Sequence, residues 1–314
     1  MRRYFPQQFP IMRVIAAIGI TLSLAACPAL GASALKHTAT GKYHMSRHAH
    51  SLPSKFDKGL VYIGVSVNGH PTAWMILDTG STESVIDTEY AKSIGLKLTP
   101  SADTQQTFGS MKTVTYDTNK LRLRVGAEKE NVLMFQSISL GGMMGPHGTA
   151  AAGLLGRTFL QGKSLVIDYK HEEVYFETAP QSADPRDVAM TLKTGIPIIK
   201  LKIANQLVDS LIDTGGTYGM IITPKTAKAL GIEGYMIDAK PAETIGHGGE
   251  QQIVVGKAPP FAIGELAVAD VSAAYTTFGT ATDAIGAGVS LGIGFLKHYK
   301  LTLNYAADTV RFEP

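Results

Sequence analysis

Two short stretches of the chain carry residue types suited to acid-base chemistry: Asp78-Thr79-Gly80 and Asp213-Thr214-Gly215. Each follows an apolar run, Ile76-Leu77 in the first case and Leu211-Ile212 in the second, so each carboxylate is expected where a buried strand emerges into a turn. The glycine permits a backbone conformation there that a side chain would oppose. One such triplet is weak evidence, because Asp, Thr and Gly are all ordinary turn residues. Two in matching context suggest a pair. Carboxylates brought close together cannot both ionise readily, so one pKa rises, the two share a proton, and one acts as base while the other acts as acid. Hydrolysis by direct attack of an activated water requires that division of roles.

The elements that must position the pair are legible as an internal repeat. Ile76-Leu77-Asp78-Thr79-Gly80-Ser81 recurs as Leu211-Ile212-Asp213-Thr214-Gly215-Gly216, and Tyr90-Ala91-Lys92-Ser93-Ile94-Gly95-Leu96 recurs as Thr226-Ala227-Lys228-Ala229-Leu230-Gly231-Ile232. Gly156-Arg157-Thr158-Phe159-Leu160 answers to Gly292-Ile293-Gly294-Phe295-Leu296, and Asp168-Tyr169 with Phe176-Glu177 answers to Asn304-Tyr305 with Phe312-Glu313. The offset is 135 at the aspartates and 136 at the later matches, a single-residue indel across a whole half. The protein is therefore two copies of one unit. Within the first, residues 60–67, 72–77, 120–125 and 164–168 are rich in Val, Ile and aromatics and read as strands. Residues 87–95, like 224–231, have helical spacing and end on glycine. Each unit is expected to be mainly β with one short helix, over 55–180 and 188–314, with a boundary in 178–187 where Pro180 and Pro185 flank polar residues.

Both units resemble retropepsin-like domains, and the whole resembles a bilobal, bacterial-type aspartic peptidase over roughly residues 55–314. The two Asp-Thr-Gly triplets carry the resemblance, each with its downstream apolar-apolar-Gly segment, Leu154-Leu155-Gly156 and Ser290-Leu291-Gly292. It implies two β-barrel lobes around a cleft, with each Asp loop held by a crossing at Gly156 or Gly292 and with Thr79 and Thr214 hydrogen-bonded across the lobe interface. It also implies a hairpin flap over the cleft. The stretches 107–116 and 244–253 stand in the expected place, which nominates Phe108, Gly109, Gly246, His247 and Gly248. The supporting set around Asp78 and Asp213 is then Thr79, Gly80, Ser81, Thr214, Gly215, Gly156 and Gly292.

The second unit departs from the pattern. Gly216 stands where the pattern has a hydroxyl residue or alanine, so Ser81 is expected to support its carboxylate through a side-chain hydrogen bond that the second loop lacks. Ser290 and Ile293 stand where the first unit has Leu154 and Arg157. These differences motivate an alternative, a peptide-binding protein that keeps the fold with little or no turnover. Other motifs are set aside. Gly288-Val289-Ser290-Leu291-Gly292 matches a Gly-x-Ser-x-Gly elbow, yet the repeat explains it and His298 follows too closely to be its partner. Gly162-Lys163-Ser164 resembles the end of a phosphate loop, but Arg157 stands at the leading glycine position. Met143 and Met144 lie in a glycine-rich loop that either lines the cleft or forms mobile surface. No metal-ligand spacing is present, and the chemistry requires no cofactor.

At the N-terminus, Arg2, Arg3 and Arg13 precede an apolar run, 14–26, that is too short to span a bilayer comfortably. Residues 1–34 read as a secretory signal with two possible ends. Leu24-Ala25-Ala26-Cys27 matches a lipobox, which would leave a lipidated Cys27, and Ala32-Ser33-Ala34 fits ordinary cleavage. Cys27 is the only cysteine, so the mature protein holds no internal disulfide. Loss of residues 1–34 removes three arginines and no acid, taking the formal charge from +3 to 0. Electrostatics therefore gives no support for a nucleic-acid partner. Residues 35–54, with His37, His44, His48 and His50 at irregular spacing, read as a solvated tether. The expectation is an exported periplasmic or envelope protein acting on polypeptide, touching membrane only through a lipid at Cys27. One chain suffices for the pair.

Overall fold

The computed structural model describes residues 51–106, 112–128, 131–141, 143, 145–177, 184–236, 238–246, 249–276 and 281–314. The leader, Cys27, the four tether histidines, Phe108, Gly109, Met144, His247 and Gly248 lie outside them.

Tight turns of matching kind set the strand plan in both halves. Asn68 and Gly69, with φ of 50° and 83°, join the strand Leu60–Val67 to the strand Ala73–Leu77, while Ala204 and Asn205, at 48° and 61°, join Ile196–Ile203 to Gln206–Ile212. Two successive left-handed residues match the right-handed twist of the flanking strands. Among the described residues the strands form two ten-stranded sheets, one from each half, and a five-stranded sheet to which both halves contribute. The chain is mainly β, with two retropepsin-like lobes in tandem.

The five-stranded sheet has the order Glu173–Glu177, Ser164–Asp168, Lys300–Asn304, Thr309–Glu313, Val188–Ala189. Its central pair is antiparallel and joins corresponding strands of the two copies, Ser164 opposite Asn304 and Asp168 opposite Lys300. Leu165, Ile167, Leu301 and Leu303 bury one face of it in a core continuous with both lobes.

The helices lie where glycine and capping residues place them. Asp87 caps Thr88–Ser93 by accepting the N–H groups of Glu89 and Tyr90, and Thr223 caps Pro224–Leu230, which ends on left-handed Gly231. Beyond the one helix expected per unit, each glycine motif leads into a single helical turn, Arg157–Leu160 or Ile293–Leu296. The end of the tether differs from expectation too. Leu52 is buried and its N–H donates to Val174 O at 2.8 Å, and Pro53 O accepts the N–H of Gly64 at 2.8 Å, because this apolar pair finds a place on the first lobe.

Candidate active site

Each aspartate leaves the end of its strand under direct control of a second strand. The strand Gly153–Leu155 runs parallel to Ala73–Leu77 and antiparallel to Val85–Asp87, and Val289–Leu291 does the same between Gln206–Ile212 and Met220–Ile222. Asp78 N–H donates to Leu155 O at 3.0 Å, and Asp213 N–H to Leu291 O at 2.9 Å. On the far side of each loop, Arg157 N–H donates to Ser81 O at 3.0 Å and Ile293 N–H to Gly216 O at 2.7 Å. These bonds require close approach. A Cβ at Gly156 would stand 2.4 Å from Glu83 O, and one at Gly292 would stand 2.4 Å from Tyr218 O, so both positions exclude every side chain.

The two loops interlock through their threonines. Thr79 Oγ1 donates to Ile212 O at 2.7 Å and accepts the N–H of Thr214 at 3.0 Å; Thr214 Oγ1 donates to Leu77 O at 2.7 Å and accepts the N–H of Thr79 at 3.1 Å. Four buried bonds therefore cross the interface, and they place the carboxyls together. The Asp78 carboxyl lies over Gly215, where a Cβ would come within 2.7 Å of Asp78 Cγ.

Both carboxyls are buried, Asp78 at 0% and Asp213 at 2% exposure. Burial is the largest influence on Asp78 and raises its pKa well above the usual carboxylate value; the charge of Asp213 and a hydrogen bond with that carboxyl add to the rise, against the N–H groups of Gly80 and Ser81. Asp213 is also raised, to about 6, chiefly by burial, while the N–H of Gly215, the Asp78 carboxyl and the N–H of Gly216 hold it down. Asp213 Oδ1 accepts Gly215 N–H at 2.9 Å and Gly216 N–H at 3.0 Å. Asp78 Oδ1 accepts Gly80 N–H at 2.9 Å, but its Oδ2 receives no donor from the described residues. A bond between the two carboxyls therefore exists only when one of them carries a proton.

The structure corrects the role expected of Ser81. Its hydroxyl donates to Glu83 O at 2.7 Å, not to the aspartate, because the loop turns that side chain toward the residues that follow it. Asp78 is served by the Ser81 backbone N–H instead, and the Gly216 N–H does the same for Asp213, so the missing hydroxyl removes nothing from the second carboxylate. The halves differ elsewhere. Ser84 Oγ accepts Gly156 N–H at 3.0 Å and Thr158 Oγ1 accepts Ser84 N–H at 2.9 Å, whereas in the second half backbone alone does this work, Gly292 N–H to Gly219 O and Gly294 N–H to Tyr218 O, both at 3.2 Å. Sequence reading missed Ser84 and Thr158, since nothing separates them from other hydroxyl residues until the repeat is aligned through Gly219 and Gly294.

The remaining candidates fall as follows. Hairpins formed by Thr99–Gln106 with Lys112–Asp117, and by Lys240–Gly246 with Gly249–Lys257, stand at the flap positions, and Gly246 closes the second against Gly249. Met143 is neither cleft lining nor mobile surface but packs in a core cluster with Leu140, Ala151 and Leu154, since its loop folds back on Ala151. Ser290 lies inside a strand, buried, where no nucleophile elbow can form. The Lys163 ammonium donates to Phe159 O at 2.7 Å and lies over the rings of Phe159 and Phe176, which leaves no phosphate cradle.

An aspartyl protease family profile matches residues 63–159 and again 199–295, one match per lobe and more than half of the chain. The chain belongs to the aspartyl protease family. Solved structures similar to it include basic 7S globulin from soybean, at 10% identity and a TM-score of 0.45, and conglutin gamma, a basic 7S globulin from lupine seeds, at 11% and 0.47. Each alignment covers 84% of this chain and 94% of the other. Comparison with curated protein sequences gives no match.

Proposed function

We propose that this protein is an endopeptidase that hydrolyses polypeptide by attack of one water activated between Asp78 and Asp213. The observation that supports it most is the pair itself, two carboxyls buried against each other, each held by the N–H groups of the residues two and three positions on. In this reading Asp213 is the base and Asp78 the acid. Asp213 takes a proton from the water as its oxygen bonds to the peptide carbonyl carbon, and Asp78 gives its proton to the carbonyl oxygen. The tetrahedral species collapses as the proton on Asp213 passes to the amine nitrogen, the C–N bond breaks, and Asp78 recovers a proton from a hydroxyl of that species. One water is consumed and the pair returns to its singly charged form. The substrate lies between the lobes beneath the two hairpins, and the leader motifs support export.

The alternative, binding without turnover, draws on Gly216 and on the other departures of the second lobe, Ser290 and Ile293; of these Gly216 costs no contact, since its N–H serves Asp213 as the Ser81 N–H serves Asp78. The test is peptide cleavage by residues 35–314, mapped by mass spectrometry on a diverse peptide mixture, with Asp78→Asn and Asp213→Asn alongside. Each variant is expected to lose at least about a thousandfold in rate, by analogy with the removal of one member of a catalytic unit. A variant that keeps most of the wild-type rate rules out the shared-proton mechanism, and clean binding without cleavage by the wild type favours the alternative. The rate should be bell-shaped in pH, with limbs that belong to the pair, the acid one lying above the usual carboxylate range because burial raises both groups.

A further inference from the structure

At one end of its sheet the first lobe carries a face that neither the fold nor the proposed chemistry requires. The strands Leu121–Arg124 and Asn131–Leu133 pair as a hairpin, and the second of them is the terminal strand of the ten-stranded sheet. Alternate residues of a strand point to opposite faces. Leu121 and Leu123 enter the core, which leaves Arg122 and Arg124 exposed, with exposed Lys120 just ahead of them. Val132 stands directly opposite Arg122 and is 57% exposed, and Met134, two residues further on, is 54% exposed. Three cations thus run beside two large apolar side chains. The described acids closest in sequence are Glu128, half-buried in the turn, and Asp117, which accepts from the Gln136 amide at 3.4 Å, so the row keeps a positive balance.

The second lobe shows that the architecture can do without this face. Its hairpin at the same place pairs Phe261–Ile263 with Leu266–Val268, and the residues opposite each other on the outward side are Ala262 and Ala267. A terminal strand ordinarily exposes charged or small side chains, because an apolar edge invites unwanted pairing. The first lobe keeps Val132 and Met134 in the open against that pressure. The chain that leads from the N-terminal segment also arrives here. A Cβ at Gly126, in the turn of the hairpin, would stand 2.9 Å from Pro53 Cδ and 3.5 Å from Ser51 O, and Cys27 precedes Ser51 by 24 residues. A lipid on Cys27 would draw this end of the molecule to a bilayer first.

We infer that this face docks on an anionic lipid bilayer, with Lys120, Arg122 and Arg124 on the headgroup phosphates and Val132 and Met134 entering the boundary between headgroups and acyl chains. Cations gain from the potential of an anionic surface, and apolar side chains leave water at the interface, so both rows of the hairpin are matched at once. A free phosphate would match the cations and leave Val132 and Met134 in water. Binding needs neither the peptidase reading nor a lipid on Cys27, since every residue that makes it belongs to the folded lobe.

The test is sedimentation of residues 35–314, which include every described residue, with vesicles of mixed phosphatidylglycerol and phosphatidylcholine and with vesicles of phosphatidylcholine alone. The wild type should bind the anionic vesicles, lose them at high salt, and stay free of the neutral ones. Arg122→Gln combined with Arg124→Gln should weaken binding roughly twentyfold, at about fivefold per cation. Val132→Ala combined with Met134→Ala should weaken it at least about fivefold. Lys225→Gln with Lys228→Gln, which removes two exposed cations from the helix Pro224–Leu230, should leave it unchanged. All six side chains are exposed, so each variant should melt with the wild type, and the arginine and apolar pairs test the face independently. A wild type that sediments with neither kind of vesicle overturns the inference, and so does an equal loss in the lysine variant. Self-association of the wild type without vesicle binding, abolished by Val132→Ala with Met134→Ala, also overturns it and gives the face to a second copy of the chain.

Discussion

Asp78 and Asp213 are the same residue in the same triplet, and each Oδ1 accepts the N–H of the glycine two residues on. Their burial also has a cost that should be visible without any substrate. Both folded pKa values lie above the unfolded carboxylate value, so from about pH 4 upward the native state keeps protons that the unfolded chain has released. The contribution is fully present below the unfolded pKa and is lost as pH rises through the folded one. For Asp213, raised from 3.8 to about 6, the loss is on the order of 3 kcal/mol. Asp78→Asn and Asp213→Asn are therefore expected to be more stable than wild type at about pH 8 and to show a flatter fall of stability above about pH 4. Urea unfolding across that range checks the prediction, and slopes identical to wild type would show that the pair does not hold its proton in the folded state.

Elements meet here through backbone atoms, and substitutions that disturb backbone should cost most. Thr79→Val removes a hydroxyl that both donates to Ile212 O and accepts from Thr214 N–H, leaving two buried groups unpaired at about 1–3 kcal/mol each. Thr79→Ser keeps both bonds and should cost well under half as much, a difference readable as a shift in denaturant midpoint. At Gly215→Ala the new methyl meets Asp78 Cγ at 2.7 Å, so a stability loss of about 1–3 kcal/mol should accompany a displaced carboxyl and lost turnover. The repeat made the triplets, the capped helices and the glycine crossings legible, because each is a local pattern of apolar, turn and glycine residues. Ser81 misled because a hydroxyl beside a carboxylate can turn to a backbone carbonyl just as easily, and only the geometry of the loop selects between them. Met143 misled because flanking glycines signal exposure while the fold brings Ala151 back over it.

Across the whole molecule, the lobes share more than an interface. The core runs from Ile63 and Val65 of the first half through Leu165 and Leu301 to Ile199 and Leu201 of the second without a break. Two further contacts bind the halves reciprocally: Gly195, at φ +84°, lies so close under Arg157 that a Cβ would fall 1.7 Å from its Cδ, and Gly59, at φ +85°, receives Ile293, whose Cδ1 would be 3.0 Å from a Cβ. Unfolding should accordingly be a single calorimetric transition; two resolved transitions would show that the lobes melt independently. None of this long-range pairing was legible beforehand, since strand order between distant segments leaves no local mark in a sequence.

The central pairing of Ser164–Asp168 with Lys300–Asn304 sets like against like, which is the pattern of an isologous contact between identical subunits. In a symmetric dimer of one half, every residue would be duplicated, and neither aspartate could be the designated acid until something broke the symmetry. Joining the copies in one chain removes that constraint. The first half can keep Ser84 and Thr158 while the second keeps Gly219 and Gly294, and any division of labour between the two aspartates is inherited through the gene instead of being chosen afresh at each encounter.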